Sequence, residues 1–497
     1  MVMTDTAAPS APSAPSARAT AVRRLLVAAV SLAACFSGLS VAGLLSAESS
    51  PFPPSVPEAT CGPGARPETD IQGRVPAADY ANGRFRRGYQ CNTRQVAHEG
   101  GTGGFKVLRY TDRTGRTCAY YDSTRLFPLE VPFQVQSGFG VIVLDMTNPA
   151  KPRRTATLTS PAMLSPHESL LINDRRGLMG AVLGNAATNA GILDLYDVRT
   201  DCRRPRLLSS TPAAVLGHES GWSPDGKTFY ASSTVGQTLV AIDVSDPVLP
   251  RPIFTQLGVN YHGMRLSPDG RTLYAANIGN DVSDGTFPGQ GLRVIDVSEI
   301  QDRVPNPSVT VLSDLVWREA SIPQVSQPFR RGKRDYLLQV DEFANFGVTD
   351  FAGAEVGAAR IIDVTNPRRP LVVSNLRLAV HQPAGRRKAF GDPGASSPVG
   401  GYAGHYCSAP YQRDPKVVAC SMIGSGLRIF DIRDLKHPRE LGYFNRPVQS
   451  VIPIKTGANA LSQPAWDVKR RSVWYTDGNS GFYVVKLTNG TGRLLER

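Results

Sequence analysis

The stretch "SPDGKTFYASSTVGQTLVAIDVSDPVLPRPIF", residues 223–254, decides the fold. Its Pro-Asp-Gly is a strong turn signal, "KTFYASS" and "TLVAIDV" are short runs rich in β-branched and aromatic residues, and "SDPVLP" makes a Pro-bearing turn into a further strand. With the strand that enters the first turn, one unit therefore holds four strands. The third of them, ending in Asp, recurs along the chain: "GVIVLDM" from residue 140, "ILDLYDV" from 192, "TLVAIDV" from 238, "GLRVIDV" from 291, "AARIIDV" from 358, "GLRIFDI" from 426 and "GFYVVKL" from 481. Asp145, Asp197, Asp243, Asp296, Asp363 and Asp431 share one slot, and Lys486 stands there in the last copy.

Consecutive repeat aspartates are 46 to 68 residues apart, which leaves room for four strands and loops of varied length and is too long for leucine-rich or ankyrin repeats. Seven such units predict an all-β chain folded as a seven-bladed β-propeller of four-stranded antiparallel blades, an architecture that protects sheet edges by radial repetition. The 47 Gly and 39 Pro suit a turn-rich β protein. Each repeat Asp precedes a turn such as "TNP" or "SDP", where a carboxylate caps backbone N–H groups; the six are expected to be structural.

A propeller must close its ring. The seventh unit supplies "LSQPAW", "RSVWYTD" and "GFYVVKL" before the chain nearly ends, while "CNTRQVAH" (91–98) lies ahead of the first unit as an orphan strand. The expectation is a propeller over 89–490 with 89–98 as the closing strand of the last blade, preceded by an irregular Pro/Gly-rich lead-in over 48–88.

Residues 1–24 read as a disordered n-region, and Arg23-Arg24 introduces an uncharged apolar run over 25–47, a signal peptide or membrane anchor. Three fates are compatible with it: cleavage after Ala42, lipid attachment at Cys35 in "LAAC", which resembles a bacterial lipobox, or retention as an anchor. All three put the protein outside the cytoplasm, in the cell envelope or beyond. Six cysteines follow Cys35, and an even count in an exported chain predicts three disulfides. Cys407 and Cys420 flank "SAPYQRDPKVVA", which reads as two strands around a turn, so they are expected to face each other across one hairpin. The net charge of +13 comes from scattered basic residues, mostly Arg, and not from a clustered face, so no nucleic-acid partner is expected.

The Asp-ended strands, with "CGPGARPET" (61–69), "GYQCNTRQVAH" (88–98), "CAYYD" (118–122), "DCRRPRLL" (201–208), "DEFAN" (341–345) and "HYCSAP" to "VVACSMIGSGLRIFDIRD" (405–434), resemble the bacterial LVIVD-repeat proteins. The resemblance runs from Cys61 to Asn489 and departs at Lys486. It implies an exported propeller and little about chemistry. By elimination, Cys91 is assigned to Cys118, close to the ring closure, and Cys61 to Cys202, tying the lead-in to the rim of the second blade.

Because the chain runs up and down within a blade, the start of each first strand and each second-to-third connection lie on one face of the disc. His167, His218, His262 and His405, four of the seven histidines, sit just ahead of first-strand turns in blades two, three, four and six. Blades five and seven carry Gln324 or Ser326 and Gln463 nearest to that slot. On the same face are expected Glu168, Glu219, Asn277, Asp281, Asp284, Glu342, Asn345, Asp477 and Asn479, whereas the adjacent Asp341 should point to the opposite side from Glu342. His98, His381 and His437 fall in fourth strands or loops and are read as ordinary.

Two readings follow. Imidazoles and a carboxylate from different blades can meet at the channel mouth and hold Cu or Zn, with an open position for water or substrate. Alternatively, a residue of one ancestral unit recurs without serving a site, and each His holds neighbouring blades in register. No HxH or HExxH spacing is present, which favours the second reading. No Ser/His/Asp nucleophile arrangement is recognisable either. The function expected is a monomeric cell-envelope scaffold that binds an unidentified ligand, an envelope protein or a polymer through a mouth including Glu168, Glu219, Asn277, Glu342 and Gln463. The alternative is a Cu- or Zn-dependent extracytoplasmic enzyme using His167, His218, His262 and His405. The Gly-rich "GDPGASSPVGGYAGHY" (391–406), leading into His405, is a candidate lid.

Overall fold

The expected strands form wherever a β-branched or aromatic run is bounded by turn residues, and they assemble into seven sheets of consecutive antiparallel strands. The computed structural model describes residues 52–123, 140–184, 191–215, 217–234, 236–279, 291–317, 322–342, 356–395, 401–451 and 455–496. The leader with Cys35, Asp281, Asp284, Asn345 and residues 396–400 of the Gly-rich insertion lie outside them. The fold is a seven-bladed β-propeller.

Blade three shows how the repeat works. Ser220–Trp222, Thr228–Ser233, Thr238–Asp243 and Arg251–Leu257 pair in that order, with Tyr230 opposite Ala241 and Ala241 opposite Phe254. All of Thr228–Ser233 is buried, because a neighbouring blade covers each face of the sheet. Tyr230, Leu239 and Ala241 pack against Met264, Leu273, Ala275 and Ile295 of blade four, and every such apolar side chain taken out of water contributes roughly 1.5–3 kcal/mol. The outermost strand, Arg251–Leu257, is mostly exposed or half-buried.

The repeat aspartates cap turns. Asp145, Asp197, Asp243, Asp296, Asp363 and Asp431 each accept the N–H two residues on, at 2.8–3.1 Å. Arg153, Arg303, Arg334 and Arg433 add ion pairs to four of them. Each of these carboxylates thus organises its own turn.

Ring closure differs from the expected single strand. Thr93–Glu99 pairs with Gly481–Leu487 as the fourth strand of blade seven, but Tyr89–Cys91 pairs with Arg439–Asn445 as a fifth strand of blade six. Asn92 makes the transfer. It adopts a left-handed conformation (φ 51°), and its side-chain amide donates to Leu441 O at 2.7 Å and Thr60 O at 2.9 Å. The terminal segment therefore latches two blades.

That geometry also corrects two of the expected disulfides. Cys91, on the edge of blade six, bonds to Cys61 of the lead-in beside it and not to Cys118. Cys118, on the second strand of blade one, bonds to Cys202, whose N–H donates to Asp112 and whose carbonyl accepts from Tyr120. Cys407 and Cys420 are directly opposed in their hairpin and are bonded. The lead-in is anchored on blade six through Arg428, which pairs with Glu68 and with Glu440, and through Arg74, which pairs with Asp392 at 2.8 Å. Asp392 and the buried Tyr402, bonded to Val75, tie down the described part of the insertion read as a lid. No helix among the described residues is long and apolar enough to cross a membrane. The three disulfides suggest an oxidising, exported environment.

Candidate functional site

The innermost strands of the blades line the channel, and the residues just ahead of them meet at one of its ends. His262 opens its strand, Tyr261–Leu266, as the second residue, and His405 directly precedes Tyr406–Ser408. His218 continues the ladder of blade three, its N–H donating to Ser232 O. His167 adopts a left-handed backbone (φ 49°), a conformation tolerated by His more readily than by branched residues. Gly263 lets blade four close on blade five: a Cβ there would lie 2.3 Å from Gln324 O.

The four histidines converge on two carboxylates. Glu168 Oε2 lies 3.6 Å from His218 Nε2 and 3.5 Å from His262 Nδ1, and its Oε1 lies 3.3 Å from His405 Nε2. Glu342, at the end of the second strand of blade five, lies 2.8 Å from His262 Nε2 and 3.1 Å from His405 Nε2. His218 Nε2 and His262 Nε2 are 2.9 Å apart. The His167 ring sits 4.3 Å from that of His218 and stacks on Phe105. Gln324 donates to Glu168 at 2.7 Å, filling the blade-five slot.

Two of the rings are oriented from behind. His405 Nδ1–H donates to Leu461 O at 2.5 Å, and Thr234 Oγ1 lies 3.2 Å from His218 Nδ1, so the Nε2 atom of each ring faces the carboxylates. Such outer partners set tautomer and ring orientation in metal sites. Three potential ligand atoms of His167, Glu168 and His218 lie within 4.8 Å of one another, as do three of Glu168, Glu342 and His405. His167 Nδ1, His262 Nδ1 and Glu168 Oε2 are buried without a hydrogen-bond partner.

Protonation follows from this packing. Burial alone would raise the Glu168 carboxyl, but His262, His405 and His167 around it hold it well below the usual range. Burial, reinforced by His167 and His262, pushes His218 well below the usual imidazole value, and burial lowers His167. Burial opposes charge on His262 and His405 too, yet Glu168 and Glu342 outweigh it, raising His262 and lifting His405 to about 10. His405 therefore keeps its proton at neutral pH, His262 is shifted in the same direction, and His218 stays neutral.

The remaining mouth residues take other positions. Glu219, in the same tripeptide as Glu168 one blade on, does not join the histidine cluster by any bond or ion pair seen among the described residues; it is held by Lys106 Nζ at 2.8 and 3.0 Å, by Arg265 at 3.2 Å and by the Tyr406 hydroxyl. Lys106 is fully buried over the Tyr406 ring, and burial lowers it to about 8 against the pull of Glu219. Gln463 accepts from Arg265 and Gln327, joining this group to blade seven. Lys106, Glu219, Arg265 and Gln463 thus form a linked septum of side chains drawn from blades one, three, four and seven. Asn277 closes its own turn by accepting the Gly279 N–H at 3.2 Å. Asp341 faces away from Glu342, bound to Trp317 Nε1 and Arg360. His98 and His437 make local contacts with Ser480 O and Asp434, and His381 accepts from Leu378 N.

Lys106 was not singled out by the sequence. Its signal was there in "GGTGGFKVLRY" (100–110), where Phe105-Lys106 occupies in blade one the slot that carries His elsewhere.

No family model and no curated protein matches the chain. Among solved structures, it is similar to Kuenenia stuttgartiensis hydrazine synthase (15% identity, TM-score 0.49, covering 79% of this chain and 97% of that one). It is also similar to a protein of unknown function from Desulfotomaculum acetoxidans (10%, 0.43, 68% and 84%) and to the RRP9 WD40 repeats (9%, 0.47, 84% and 100%).

Proposed function

We propose that this chain is an exported propeller of the LVIVD-repeat type whose channel mouth binds a divalent transition metal, zinc or copper, through Glu168, Glu342, His218, His262 and His405. The observation that carries the reading is the orientation of His218 and His405, whose Nε2 atoms are presented to Glu168 from two blades while Thr234 and Leu461 hold the far side of each ring. Ligand atoms around a tetrahedral ion at about 2.0–2.1 Å sit about 3.3 Å apart, and the nitrogen-to-oxygen separations here run from 2.8 to 3.6 Å. Export is supported by the disulfides, and the LVIVD assignment by the Asp-ended strands.

When bound, such a metal acidifies a coordinated water or polarises a carbonyl. The chain's own residues set access to it: the His218 side chain is 20% exposed, whereas those of Glu168, His262, His405 and Glu342 are 2–4% exposed, so substrate or water reaches the ion along the His218 edge. The second reading treats the same contacts as a charge-balanced tie between blades two to six, and it is favoured by the pairing of raised imidazoles with two carboxylates.

The test is metal content by elemental mass spectrometry on the disulfide-bonded protein, beside a His218→Ala/His262→Ala variant. Zinc or copper near stoichiometry, reduced at least tenfold in the variant, supports the metal reading. No metal after reconstitution, with a variant that is only less stable, assigns the cluster to blade register.

A further inference from the structure

The far end of the channel, beyond the septum, opens into a cavity of about 800 Å³ to which every blade contributes. Five arginines from five blades reach its lining, Arg109, Arg175, Arg265, Arg330 and Arg413, against the two carboxylates of Asp174 and Asp335. Arg330 occupies Asp335 at 2.8 Å, and Arg265 is committed to Glu219 and Gln463 in the floor. Arg109, Arg175 and Arg413 form no ion pair among the described residues. Arg175 and Arg413 are exposed at the rim, and Arg109 is half-buried further in.

The wall matches a ligand with acceptors and a flat apolar body. Two wall atoms buried without a hydrogen-bond partner, Arg109 Nε and Trp222 Nε1, are both donors. Trp222, Phe329, Tyr336 and Trp466 supply apolar and aromatic surface. Guanidinium groups present planar forks that fit carboxylate and phosphate oxygens. Of the septum residues, Arg265 and Gln463 line this cavity. Its volume falls in the range of small-molecule sites.

We propose that this funnel is a second binding site, for a small organic polyanion carrying two or more carboxylate or phosphate groups on a planar body. Arg109, Arg175 and Arg413, from blades one, two and six, form no ion pair among the described residues and present cationic groups spaced around the ring, so several ligand charges are recognised together. The site stands on the other side of the septum from the histidines and is independent of any metal.

The probe is benzene-1,3,5-tricarboxylate, rigid and a weak chelator, titrated calorimetrically into the full disulfide-bonded chain at low salt. Its uncharged tricarboxamide and a long polyphosphate serve as comparisons. The expected result is saturable one-to-one binding of the tricarboxylate and none of the tricarboxamide. Binding should weaken about tenfold in Arg109→Gln and at least as much in the rim variant Arg175→Gln/Arg413→Gln, with the His218→Ala/His262→Ala protein unaffected. The rim residues are exposed, so that variant keeps the fold. Absence of saturable binding, equal binding of the tricarboxamide, affinity unchanged in both arginine variants, or binding of polyphosphate alone would each overturn the proposal.

Discussion

Blades two and three carry the same tripeptide, His-Glu-Ser, at 167–169 and 218–220, and put its glutamate to opposite uses. Glu168 faces three imidazoles, whereas Glu219 neutralises a buried lysine. The backbone separates them: His167 turns left-handed and Glu168 N–H donates to His218 O, while His218 and Glu219 stay in the ladder with Ser232. Identical words in a repeat thus acquire different chemistry from one dihedral angle and from what the neighbouring blade offers, here Lys106 in place of a histidine.

Substitutions can break this comparison from either side. The largest effect is expected at the septum. Glu219→Gln leaves Lys106 buried without its counter-charge and should cost roughly 3–5 kcal/mol in urea unfolding, with metal binding by the folded fraction retained. The double variant Lys106→Met/Glu219→Leu should recover most of that loss. Glu168→Gln should do the reverse, costing less stability and lowering metal affinity at least about a hundredfold, as read by competition with a chromogenic chelator. Equal effects of the two glutamates on metal affinity would erase the distinction drawn here.

Protons sharpen it further. His405, lifted to about 10 in the metal-free protein, must lose its proton to coordinate, and His262 is shifted the same way, so binding at pH 7 should release protons and affinity should climb with pH. In the metal-free protein the sign is opposite for these rings: their stabilisation is complete below the ordinary imidazole range and is lost as pH rises, for His405 through about 10. Glu168, held low, contributes above the usual carboxylate range and is lost on strong acidification. Calorimetry in buffers of different ionisation enthalpy counts the protons, and release of none would contradict the assignment. The smallest effect is expected from Thr234→Val, which frees the far side of the His218 ring and should weaken metal binding about tenfold with little change in stability.

Much of this was legible in advance for one reason: a propeller turns sequence period into position. His167, His218, His262 and His405 fall at one point in successive units, and Glu342 ends a second strand on the same face, so counting strands places them together. The repeat aspartates were legible as caps because their chemistry is local. What could not be read is set by contacts between units. Nothing within "GHES" says that Lys106 lies beneath Glu219, since they are 113 residues apart and meet only when the ring closes. The pairing of Cys91 depends likewise on a contact between units: Asn92 divides the terminal strand between two blades and sets Cys91 on the edge of blade six, beside Cys61 and away from Cys118.

The most direct test is anomalous diffraction from crystals of the metal-loaded protein, recorded at the zinc or copper edge. The account predicts a peak within coordination distance, about 2.0–2.3 Å, of a Glu168 oxygen and of His218 Nε2 or His405 Nε2. A metal-loaded crystal with no peak among these atoms, or with the peak elsewhere on the molecule, would contradict it.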